Sequence, residues 1–168
     1  MKIATCIITM FFSFCNAADS LNLGSTAPNI TIKNQNNEDV SLQAAAQAQD
    51  YLLVYFYPKA DTPGCTKQGC SLRDHFAELT DLGVQVIGVS IDSVKKQKAF
   101  AEKYNLPFTL LADTEKTAIK AFGVDTYPAV GMAHRQAYLF KNSKLIWKDE
   151  SAPTKTQAQQ ILKVIKAL

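Results

Sequence analysis

Short, fully apolar runs alternate along this chain with stretches in which apolar residues recur at helical spacing. Residues 51–57, YLLVYFY, are apolar on both faces and rich in aromatics, which predicts a strand buried in the middle of a sheet and ended by Pro58. Residues 84–91 predict a second buried strand, and residues 108–111 a shorter third. Between the first two, residues 63–79 carry Leu72, Phe76 and Leu79 at helical spacing, with Gly83 past the end. Ser93 is placed to cap another helix running through Tyr104, before Pro107. Upstream, residues 21–28 read as a lead-in loop, 29–33 as a short alternating strand and 34–39 as a polar turn.

Strand, helix, strand, helix, strand predicts a parallel core, because parallel neighbours need a crossover connection. The second half changes character. Residues 136–140 and 145–147 flank a polar tetrapeptide carrying Asn142, which predicts an antiparallel hairpin. Ile161, Leu162, Ile165 and Leu168 then share one face of a closing helix over residues 154–168. A mixed sheet with a parallel core and a terminal hairpin, flanked by helices, is an α/β arrangement of the thioredoxin-like kind.

With 168 residues, 47% of them hydrophobic and 20% charged, the chain has the size of one globular domain. Its formal charge of +3 comes without a dense basic run interleaved with aromatics, so nucleic acid is not an expected partner. The first residues change the picture further. Lys2, a largely apolar stretch from Ile3 to Phe14, and the small residues Ala17 and Ala18 have the form of a secretory signal. The stretch falls short of the ~20 apolar residues of a spanning helix. The expectation is a cleaved segment at residues 1–17, with cleavage at Ala17 or Ala18, a single domain over residues 18–168, and export, to the periplasm of a bacterial cell. A lipid anchor on Cys15 fits poorly, since bulky Phe14 precedes it. Cleavage would remove Cys6 and Cys15, leaving Cys65 and Cys70 in a compartment where disulfides persist.

Those two cysteines lie in PKADTPGCTKQGCSLRD, residues 58–74, which leaves the carboxyl end of the central strand and opens a helix. Ligand sites of α/β sheets favour that place. Thr62 takes the N-cap position, Pro63 the first helical position and Cys65 the third, among unpaired N–H groups at the positive end of the helix dipole. Such a setting favours the thiolate, the nucleophilic form of cysteine. On an ideal helix, Cα atoms five residues apart are about 8.6 Å apart. A disulfide needs less than ~7 Å. Either the segment is not helical, or Cys65 and Cys70 join only after local unwinding, as a redox cycle through a sulfenic acid would require. Gly64 and Gly69 ease that opening. His75 and His134, the only histidines, give the cysteines no compact metal-ligand spacing, and C-x4-C is not the C-x-x-C of thioredoxin-type dithiols.

Pro58, Thr62 and Cys65 reproduce the P-x-x-x-T-x-x-C signature of peroxiredoxins. With Pro63, Thr66 and Cys70 the segment resembles the Q, or bacterioferritin comigratory protein, subfamily, and the likeness of pattern runs from about Leu23 to the C-terminus. The resemblance implies a cofactor-free peroxidase in which Cys65 is the peroxidatic and Cys70 the resolving cysteine of one chain. It implies that Thr62 hydrogen-bonds the peroxide, that Pro58 shields the thiolate, and that an arginine assists it. By its place before the strand at 136–140 that arginine is Arg135; the only other, Arg73, falls within the helix. A guanidinium suits a site where negative charge builds on a leaving oxygen. Relatives commonly carry threonine two residues after that arginine, where this chain has Ala137.

The expected substrates are hydrogen peroxide and alkyl hydroperoxides, and the expected partner is a thioredoxin-like reductant. An internal cysteine pair removes one need for a dimer, so a monomer is expected. Two rivals remain: a thiol oxidoreductase acting on protein disulfides, and an exported thioredoxin-fold binding module stapled by a permanent Cys65–Cys70 bond.

Overall fold

The computed structural model describes residues 20–168; the expected signal segment lies outside them. A small antiparallel hairpin, β1 (Thr31–Lys33) and β2 (Asp39–Ser41), leads into helix α1 (Leu42–Ala48). Then follow β3 (Tyr51–Phe56), α2 (Pro63–Asp74), α3 (Phe76–Asp81), β4 (Val84–Ser90), α4 (Val94–Tyr104), β5 (Thr109–Ala112), α5 (Thr117–Phe122), β6 (Gln136–Lys141), β7 (Lys144–Asp149) and α6 (Gln157–Lys166). The main sheet has the order β5-β4-β3-β6-β7. β3, β4 and β5 run parallel, whereas β6 and β7 are antiparallel to their neighbours, as the two-part pattern predicts. No helix among the described residues is long and apolar enough to cross a membrane.

The all-apolar run of β3 follows from its central position. Leu53, Tyr55 and Tyr57 enter one core layer with Leu72, Phe100, Leu139 and Ile161. Leu52, Val54 and Phe56 alternate into the other, with Leu42, Ile119, Phe122 and Tyr138. The β6–β7 hairpin turns at Asn142 and Ser143, whose φ values of 47° and 65° are the left-handed pair that a tight two-residue turn requires.

Three differences from the sequence pattern have local causes. The single helix expected over 63–79 is two, broken at His75, whose Nδ1 takes the Ser71 carbonyl that a continuing helix would give to the His75 N–H. The closing helix occupies Gln157–Lys166, shorter than expected. The short helices α1 and α5 are additional. α1 is capped by Ser41, which accepts from the Ala44 N–H, and α5 ends at Gly123 with φ 62°.

Candidate active site

The loop from β3 to α2 is pinned from below. The buried Asp92 carboxylate, just past the end of β4, accepts from the Ala60 N–H at 2.7 Å and from the Ser90 hydroxyl at 2.9 Å. At the rim, Asp61 takes a left-handed φ of 58° and ties the loop to α4, pairing with Lys103 at 2.8 Å and accepting from the Tyr104 hydroxyl at 2.6 Å. Those two donors, Lys103 first, hold the Asp61 carboxyl below its ordinary range. Pro58 stands where the strand gives way to this loop.

Cys65 follows one turn into α2 and is 2% exposed. Thr62 occupies the N-cap position but does not cap with its side chain; its hydroxyl turns back and donates to the Lys59 carbonyl at 3.0 Å. Pro63 has no N–H to offer, and the Gly64 and Cys65 N–H groups are not taken by the usual capping oxygen. The first turn therefore keeps donors for an anion at the sulfur.

Arg135, immediately before β6, reaches across to the same point. Its Nη1 and Nη2 lie 3.7 and 3.6 Å from the Cys65 Sγ, and Nη1 also donates to Gln68 Oε1. Gly64 makes room for this, since a Cβ there would stand 3.2 Å from Nη2. Residues from two ends of the expected constellation, Cys65 in the first turn of α2 and Arg135 before β6, thus meet, with Thr62 at the N-cap of the same turn. Ala137 is fully buried in the core. Beneath them, burial first of all raises the Tyr55 and Tyr57 hydroxyls well above the ordinary phenol range.

Cys70 lies in the same continuous α2, partly exposed, and both thiols are free. Sequence reasoning passed over Gln68 and Gln157. Gln68 is fully buried and donates to Gln157 Oε1 at 2.7 Å, so α6, α2 and Arg135 are joined through one amide. The signal was there: Gln68 is a polar residue on the face that carries Cys65 and Leu72, at helical spacing from both. Among the described residues, no group of three potential ligands converges on a metal site.

The AhpC/TSA family model matches residues 23–148. The chain belongs to the AhpC/TSA family. Among relatives, a putative peroxiredoxin bcp of Coxiella burnetii is 45% identical over 105 residues, covering 62% of this chain and 68% of that one. A chloroplastic peroxiredoxin Q of Arabidopsis thaliana is 40% identical over 150 residues, covering 88% of this chain and 68% of that one. Among solved structures, a peroxiredoxin Q of Xylella fastidiosa superposes with a TM-score of 0.81 at 25% identity, covering 89% of this chain and 98% of that one. A bacterioferritin comigratory protein of Xanthomonas campestris, described for its alkyl peroxide reduction activity, gives 0.77 at 25% identity over 88% and 96% of the two chains. This AhpC/TSA member is a thiol-dependent peroxidase of the peroxiredoxin type with the thioredoxin-like fold.

Proposed function

We propose that this peroxidase reduces hydrogen peroxide and alkyl hydroperoxides through Cys65. The observation that carries the reading is the double approach of the Arg135 guanidinium to the Cys65 sulfur. A fixed positive fork there stabilises the thiolate, and it stabilises the charge on a peroxide oxygen as the O–O bond breaks. The thiolate attacks the terminal oxygen and becomes a sulfenic acid, while the other oxygen takes a proton and leaves as water or an alcohol. The Thr62 hydroxyl donates to Lys59, so its lone pairs can accept the peroxide O–H. Pro58 shields the approach. Alkyl substrates are supported by the activity described for the Xanthomonas campestris relative.

Cys70 then condenses with the sulfenic acid, releasing water and leaving a Cys65–Cys70 disulfide for a thioredoxin-like dithiol to reduce. The cycle needs no cofactor and one chain, so the monomer is the working unit. The same proposal includes export after removal of residues 1–17; an intact Met1 on the mature protein would sink that part.

The test traps the intermediate. A Cys70→Ser variant treated with one equivalent of peroxide and then dimedone should carry the adduct on Cys65, and a Cys65→Ser variant should carry none. Labelling of Cys70 in the Cys65→Ser variant, or no label on Cys65 in the Cys70→Ser variant, would reject the assignment.

A further inference from the structure

Gln68 and Ser71 on α2, and His75 at its C-cap, follow one another at spacings of three and four residues. Three consecutive residues at the start of α6 meet them in order. Gln157 accepts from Gln68 at 2.7 Å, the Ala158 N–H makes a long contact of 3.5 Å to the Ser71 hydroxyl, and the Gln159 amide lies 3.2 Å from His75 Nε2. His75 Nδ1 meanwhile donates to the Ser71 carbonyl, which leaves Nε2 facing the Gln159 amide.

We propose that this first turn of α6 is a latch on α2, and that its release sets how fast Cys70 reaches oxidised Cys65. The inference rests on the peroxidase cycle proposed above. Cys65 and Cys70 share one unbroken helix, which keeps their Cα atoms about 8.6 Å apart, so the disulfide requires α2 to unwind. Unwinding moves Gln68 and Ser71, which flank Cys70, away from α6 and breaks the contacts there. It also takes Gln68 from Arg135. The latch therefore holds together the two features the first step uses, the helical first turn and the oriented guanidinium, and lets both go for the second.

The oxidised cysteine has two fates, of which only the first needs the latch to open. With Cys70 it gives the disulfide and one water. With a second peroxide molecule the sulfur is oxidised by two electrons to sulfinic acid, and that peroxide is reduced to water or alcohol. A slower latch favours the second.

Gln159→Ala removes the His75 end of the latch from an exposed position that touches neither Cys65 nor Arg135, and Gln157→Ala removes the Gln68 end. Amide exchange of the reduced proteins, and the rate of disulfide closure after one equivalent of hydrogen peroxide, report on the latch. Both variants should exchange α2 amides about fivefold faster than the parent, as loss of one hydrogen bond predicts, with β3 and β4 unchanged. Closure should accelerate by a similar factor, while Gln159→Ala consumes peroxide at the parent rate. Parent-like α2 exchange and parent-like closure in both variants would overturn the latch. If the parent itself fails to consume peroxide, the peroxidase reading falls, and the exchange comparison still decides the latch.

Discussion

The Arg135 guanidinium turns both terminal nitrogens toward the Cys65 sulfur, at 3.6 and 3.7 Å, although the two residues lie seventy positions apart in the chain. A lysine would present a single mobile charge in place of that fork. Arg135→Lys should therefore slow the second-order reaction with hydrogen peroxide about 10²-fold, a loss on the scale of one oriented donor in an anion-stabilising site. Stopped-flow consumption of peroxide, with circular dichroism to show an unchanged fold, measures this.

Gly64→Ala tests the same contact from the other side. The added Cβ meets Arg135 Nη2 at 3.2 Å, so the guanidinium must shift by a few tenths of an ångström or more. The peroxide reaction should slow by about tenfold with little change in the thermal midpoint, because the methyl presses on a side-chain end and not on the core.

The buried Asp92 carboxylate makes a different prediction. Asp92→Ala leaves the largely buried Ala60 N–H and the buried Ser90 hydroxyl without this acceptor. Urea denaturation should show a loss of about 2 kcal/mol, typical of a buried hydrogen bond to a charged group.

Asp61 gives a pH signature. Lys103 first, and then Tyr104, lower its folded-state ionisation below the ordinary carboxylate value. Its contribution is therefore present above the ordinary carboxylate range and is lost as pH falls through the lowered value. The stability difference between the parent and Asp61→Asn should close on acidification, and it should shrink in high salt, since the pair is exposed. A difference that persists at low pH would remove the ion pair from the reckoning.

Much of this was legible in the pattern of the chain. β3 and most of β4 are apolar on both faces because the sheet is covered on both sides. Cys65 was legible because Thr62 and Pro63 mark a helix start that puts the cysteine in the first turn, whereas the roles of Pro58 and Thr62 came only through the family resemblance. Arg135 could be named only through the family resemblance, since nothing local ties it to Cys65. The break at His75 was hidden because it comes from a ring nitrogen taking a backbone acceptor, which helical periodicity does not register. Gln157 was hidden for another reason: its partner Gln68 lies on a different helix, and a glutamine at a helix start reads as solvated until the packing of α6 on α2 is known.

The free thiols in an unbroken α2 also bear on the rival binding module, in which a permanent bond would staple the fold. A structural disulfide typically contributes ~2 to 5 kcal/mol. Because the structure is complete without that bond, reduction should leave the thermal midpoint of the protein the same or higher. A large drop on reduction would favour the staple.

The decisive measurement is rapid mixing of the reduced protein with hydrogen peroxide, following peroxide, free thiols and the fluorescence of Trp147, the single tryptophan, which packs against the core layer containing Cys65. One peroxide consumed with two thiols lost, and neither event in Cys65→Ser, is the predicted result. Peroxide that persists while both thiols stay reduced would contradict it.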